Sequence, residues 1–152
     1  MDGHKRQIQW MVLSGIALLA WSLPHASRAA DSRLLPRVES AGPYTYVNGG
    51  IGEPEATAMK AEAHHRNLTL LFTARLGARN AYLAHVHVVI RPLNGDASLV
   101  LDAAGPYVLI DLPPGRYEVT AESGHSVKSR TLTVVAGARQ QAVFEWPSRE
   151  IE

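Results

Sequence analysis

From Leu68 onward the chain alternates between apolar and polar positions with a period of two. Leu68, Leu70, Phe72 and Ala74 interleave with Thr69, Leu71 and Thr73. Val86, Val88 and Ile90 interleave with His85, His87 and Val89, and Tyr117, Val119 and Ala121 with Glu118, Thr120 and Glu122. Leu99 and Leu101, the run Tyr107 to Asp111, the run Val127 to Val134, and Ala142, Phe144 and Trp146 complete the set. This period places one apolar face on each strand. Turn signals separate the runs: Asn94-Gly95-Asp96, Gly105-Pro106, Ser123-Gly124 and Ala136-Gly137. Seven short strands at such spacing predict an all-β, antiparallel sandwich over 67–147, with a tail at 148–152. Nothing alternates strand with helix, which argues against a parallel βαβ sheet.

Before the strands the period is that of a helix. Glu53 to His65 carries Ala56, Met59 and Ala63 at i, i+3 and i+7, a narrow apolar stripe. Pro54 suits the first helical turn, where its missing N–H costs nothing. Glu53 and Glu55 sit at the positive end of the helix dipole, and His64, His65 and Arg66 at the negative end. One short helix over 53–66 therefore precedes the sandwich. Between 30 and 52 there is no clear period. Pro36, Gly42 and Pro43 mark a mobile lead-in, with room for one short strand at Tyr44 to Val47.

The first 29 residues have a different grammar. Lys5 and Arg6 precede an apolar run from Trp10 to Leu23, which Pro24 ends. Ser27 and Ala29 occupy the −3 and −1 positions of a cut before Ala30. Basic, apolar and small-residue regions in this order predict a cleaved secretory signal over 1–29. The apolar run is short for a bilayer span, so no membrane span is expected after cleavage. The expected location is periplasmic or secreted.

Composition narrows the chemistry. The 152 residues contain no cysteine, which removes disulfides, thiolate catalysis and cysteine-ligated zinc. The formal net charge is +1, and the leader accounts for the surplus: it carries Lys5, Arg6 and Arg28 against Asp2. Nucleic-acid binding needs a strong basic surplus to neutralise phosphates, so no such partner is expected.

The stretch Leu112-Pro113-Pro114-Gly115-Arg116-Tyr117-Glu118-Val119-Thr120-Ala121 resembles the LPPGxYxVxA hairpin of carboxypeptidase-regulatory-like, or transthyretin-like, domains. The physical reading agrees, because Pro113-Pro114-Gly115 makes a tight turn after which Tyr117 and Val119 point inward. The resemblance covers about residues 67 to 146. It implies a transthyretin-like sandwich that serves folding, docking or surface roles, and it brings no catalytic residue. A wider likeness joins Gly49-Gly50-Ile51-Gly52-Glu53, the helix, Ala81-Tyr82-Leu83-Ala84 and Gly105-Pro106 to small exported bacterial proteins carrying this domain.

Four features are candidates for chemistry. His85 and His87, at i and i+2 on an expected strand, would project from one face and form half of a zinc or copper site. His64, His65 or His125 could complete it, as could Glu118 and Glu122. Tyr82 and Tyr107, with Tyr44 and Tyr46, are aromatic residues at strand or loop ends that suit a binding surface. Trp146 is in phase with Ala142 and Phe144 and belongs to the core. Ser123-Gly124-His125-Ser126 lacks the strand-turn-helix context of a nucleophile elbow, and the carboxylates show no pairing. Leu71, Val89, Val100 and Val143 fall on the outer phase of their strands and mark a second packed surface, covered by the helix or a partner. The sequence thus predicts no enzyme and no cofactor. It predicts a non-catalytic exported module that docks on an unknown protein or envelope component, with a periplasmic metal-binding protein as the alternative.

Overall fold

The computed structural model describes residues 34–150. The expected leader over 1–29 lies outside the described residues. Among those residues, no helix is long and apolar enough to cross a membrane.

The fold is an all-β sandwich with one short helix. The strands are β1 (Val38–Ala41), β2 (Tyr44–Gly49), β3 (Leu68–Leu76), β4 (Arg79–Tyr82), β5 (Val86–Pro92), β6 (Leu99–Ala104), β7 (Tyr107–Asp111), β8 (Gly115–Ser123), β9 (Ser126–Val134) and β10 (Gln140–Pro147). The helix α1 (Glu53–Glu62) lies between β2 and β3 and is continued by a 3-10 turn at Ala63–His65. One sheet has the order β1-β2-β7-β3-β10, with β4 also paired to β3. The other has the order β6-β5-β8-β9.

Three features differ from the sequence expectation. First, ten strands form among the described residues: the seven expected ones, β2 where a short strand had room at Tyr44 to Val47, and β1 and β4 besides. Second, the lead-in is part of the sheet: β2 pairs with β7 from Thr45–Asp111 to Gly49–Tyr107, and Tyr44, Tyr46 and Val47 are buried. Tyr44 donates its hydroxyl to the Ala97 carbonyl at 2.7 Å, and that bond ties the lead-in to the opposite side of the sandwich. Third, β10 runs parallel to β3, from Gln140–Leu68 to Pro147–Arg75, so the sandwich is not purely antiparallel.

The alternating residues fill the space between the sheets. Leu68, Leu70, Phe72, Val88, Ile90, Val119 and Phe144 are fully buried there, and so is Trp146, whose indole N–H donates to the Ser126 carbonyl at 3.3 Å. Phe72, Phe144 and Trp146 pack with ring centroids 5.8 to 6.4 Å apart. Tyr117 satisfies its buried hydroxyl on the Pro113 carbonyl at 2.7 Å, and so closes the turn that Pro113-Pro114-Gly115 makes.

A second, smaller core lies on the outer face of the larger sheet. Val47, Tyr107 and Leu109 are covered by Ala56 and Met59 of α1, with Leu35, Ala63 and Leu71 at the margin. Of the four outer-phase residues, Leu71 is the one the helix covers. A short helix is marginal alone, and burial of Met59 and Ala56 is what holds this one. Its end is latched by Asn67, whose side chain donates to the Leu112 carbonyl at 2.8 Å and accepts from the Leu112 N–H at 3.0 Å. Beside it, Arg66 donates to Asp111 at 2.9 Å and to Glu62 at 3.0 Å.

Candidate functional site

The start of α1 is built by glycine and one carboxylate. Gly52 occupies the N-cap position at φ 86° and offers no capping side chain. Glu55 takes that role from inside the helix: its Oε1 accepts from the N–H of Gly50 at 2.6 Å and of Ile51 at 3.2 Å. Gly50 has φ 95°, and a Cβ there would lie 2.6 Å from the Tyr107 ring. The loop can therefore lie flat on Tyr107 only as glycine. Across the fold, a Cβ on Gly105 would meet the Gly49 carbonyl oxygen at 2.6 Å. Asn48 reinforces that approach by accepting from the Gly105 N–H at 2.7 Å.

These constraints open a cleft of about 440 Å³ beside the helix. One wall is the face of α1 that carries Glu53, Ala56 and Lys60. Ile51, Ala84 and Pro106 supply apolar surface, and Tyr82 stands at the edge. The three stretches that resemble small exported proteins, 49–53, 81–84 and 105–106, thus meet at one place although they are far apart in sequence. A cleft of this size with few polar groups has the dimensions of a small-ligand site.

Tyr82 and Tyr107 come together here. β7 and β4 lie end to end along one edge of β3, opposite Leu71 and Thr73, while β10 takes the other edge, and both tyrosines fall on the outer phase. Their rings meet edge to face at 5.5 Å, and the Tyr107 hydroxyl donates to the Tyr82 hydroxyl at 3.1 Å. Tyr107 is buried, whereas Tyr82 is 47% exposed. Lys60 places its ammonium 5.6 Å from the Tyr82 ring centroid, within cation–π range.

The electrostatics separate the two phenols. The neighbouring Lys60 ammonium, then the hydrogen bond from Tyr107, lowers the Tyr82 pKa below its ordinary value. Burial, then the contact with Tyr82, raises that of Tyr107. Tyr107 accordingly keeps its proton and donates it to Tyr82, and the Tyr82 hydroxyl hydrogen is free for a ligand. The Lys60 ammonium is held above its ordinary pKa, first by Tyr82 and also by the charge of Glu53. Thr73, the cross-strand partner of Tyr82, has the one buried side-chain oxygen among the described residues without a hydrogen-bond partner.

The histidines are arranged differently from the expectation. His85 precedes β5 rather than lying in it, and has φ 60°, the only non-glycine residue at positive φ among the described residues. It sits where the chain leaves β4 in one sheet for β5 in the other. The left-handed backbone breaks the alternation, so the i, i+2 rule that would align its ring with that of His87 does not apply. His87 lies on the outer face with Nδ1 3.4 Å from Asp102, opposite Glu122. No three His, Asp or Glu side chains among the described residues are grouped closely enough to hold a metal ion. His125 is in the β8–β9 turn, as the Ser123-Gly124 signal predicts.

Sequence reasoning singled out Tyr82 and Tyr107 but not Lys60, Ile51 or Pro106 as parts of one site. The signal available was the spacing of Glu53, Ala56 and Lys60 at i, i+3 and i+7, one helical face beside the Ala56–Met59–Ala63 stripe.

No family model matches the chain, and no curated protein matches it. The structure is similar to that of GBS52, the minor pilin of the gram-positive pathogen Streptococcus agalactiae, at 16% identity and a TM-score of 0.43. The likeness covers 53% of this chain and 43% of the pilin chain, so it spans less than half of that protein. It carries no statement about the site.

Proposed function

We propose that this protein is a non-catalytic, exported binding module of the carboxypeptidase-regulatory-like kind, working in the periplasm or outside the cell. It docks on a protein or envelope component through the cleft between α1 and Tyr82. The observation that carries the reading is the convergence of Gly50–Glu53, Tyr82–Ala84 and Pro106 on one cleft with a half-exposed, polarised tyrosine. Export rests on the expected leader. Lys60 and Tyr82 both act as donors at the cleft, which suits the binding of an acceptor group.

Crosslinking the mature protein in its own envelope fraction tests this. One reproducible partner, lost in Tyr82→Ala and retained in Arg91→Ala on the opposite face, is the expected result. Capture that is indifferent to Tyr82→Ala would overturn the assignment of the cleft.

A further inference from the structure

The cleft is bipolar. Glu53 and Lys60 are seven residues apart on α1, which is nearly two full turns, so both lie on one helical stripe. Their Cα atoms are separated by about 10 Å along the axis, at 1.5 Å per residue. Both side chains are exposed, and among the described residues neither lies within ion-pair distance of an opposite charge. Between them the wall is Ala56, small and 2% exposed, and the facing surface is Ile51, Ala84 and Pro106. An anion therefore stands at one end, a cation with a phenol donor at the other, and apolar surface between.

A ligand that satisfies this arrangement carries an ammonium and a carboxylate about 10 Å apart, the span of three residues of extended chain. A single amino acid is too short to reach both ends. A simple anion or an apolar acid leaves Glu53 to water alone, and a simple cation leaves Lys60 and the Tyr82 hydroxyl to water alone. Each unmatched charge forfeits its charge-assisted hydrogen bond. We infer that the cleft between Glu53 and Lys60 takes a short peptide of about three residues with both termini free, its ammonium at Glu53 and its carboxylate at Lys60 and Tyr82. The small side chains lie against Ala56, Ile51 and Pro106. This rests on the reading of the cleft as the binding site and narrows the docked component to a peptide.

The test is a titration of the purified protein with tri-alanine, followed by amide chemical shifts at Ile51, Ala56 and Ala84. Four further probes are used: its N-acetyl form, its C-terminal amide, mono-alanine and hexa-alanine. Tri-alanine is expected to bind at least about tenfold more tightly than each of these, because each blocked or misplaced terminus removes one charge-assisted contact. Hexa-alanine spans about 20 Å and can place only one terminus. Lys60→Gln should weaken tri-alanine and abolish the preference for a free carboxylate, while keeping the preference for a free ammonium. Glu53→Gln should do the reverse. Both positions are exposed, so folding is not at stake. Absence of tri-alanine binding at millimolar concentration, or equal binding of the blocked and longer peptides, overturns the inference. If that happens while Tyr82→Ala still loses the crosslinked partner, the peptide fails and the cleft stands. If Tyr82→Ala is also silent, both fail.

Discussion

The two outer faces of the sandwich arise from the same alternating strands and reach opposite states. On the larger sheet, the outer phase of β2, β7 and β3 presents Val47, Tyr107, Leu109 and Leu71, and α1 seals them. On the smaller sheet the outer phase of β5 and β8 presents His87, Arg91, Glu118 and Glu122, and it is open. Arg91 pairs with Glu118 there, Thr120 with Ser129, and Val100 is half exposed. One face is a second core and the other a solvated ladder of polar pairs. A single short helix thus does more than cover a sheet. Its edge, set against an aromatic pair, makes a cleft in which apolar surface and a polarised donor coincide.

The sharpest way to break the contrast is to remove what seats the helix. Met59→Ala empties a fully buried site of the second core and should cost about 2–5 kcal/mol in urea denaturation. It should also loosen α1 enough to erase ligand or partner binding at the cleft. If instead the loss is no larger than that of a surface residue, α1 is not held by this core. Next in size is Gly105→Ala, where a Cβ would press on the Gly49 backbone rather than on a flexible side chain. Forcing that gap should cost about 1–3 kcal/mol, and the same change at Gly137, where no atom lies within 4 Å, should be governed by its positive φ alone.

The open face should respond weakly. Arg91→Ala and Glu118→Ala, alone and combined, should reveal a coupling of only about 0.2–1 kcal/mol, because an exposed pair is screened by water. A coupling several times larger would mean that this face, too, is sheltered.

The smallest effects are those of the phenols, and they appear at high pH. Tyr82 should ionise ahead of Tyr46, Tyr107 and Tyr117, followed by tyrosinate absorbance, and Tyr82→Phe should remove that early phase. Tyr107 has its pKa raised by burial, so above about pH 10 the folded state holds a proton that the unfolded state releases. Stability due to Tyr107 is therefore intact below that pH and declines as pH rises beyond it. Tyr107→Phe should flatten this decline, and an unchanged profile would show that the phenol does not sense the fold.

The seven alternating strands, the helix with its Ala56–Met59–Ala63 stripe, and Trp146 in the core were legible because each follows from a local period. The additional strands were not. Val38–Ala41 is exposed and β4 is Arg-Asn-Ala-Tyr, so neither carries an apolar alternation; both exist because a neighbour offers backbone partners. His85 was misplaced for a related reason. Its sequence fits the alternation of β5, but the crossing from one sheet to the other requires a left-handed residue there, and a period cannot show a crossing. The tyrosines were visible one at a time. That Tyr82 and Tyr107 touch depends on β7 and β4 following one another along the same edge of β3, which is a property of strand order and register rather than of composition.

The parallel β3–β10 pair has a consequence for the order in which the molecule can be made. β10 takes all its sheet bonds from β3, and β3 belongs to the first half of the described chain. Until Gln140 to Pro147 has emerged, one side of β3 stays bare along most of its length, and Phe72 has neither Phe144 nor Trp146 to rest on. Closure at such sequence separation is slow to nucleate. A nascent chain therefore cannot complete this sandwich from its front end, and the larger sheet closes only when its last strand is delivered.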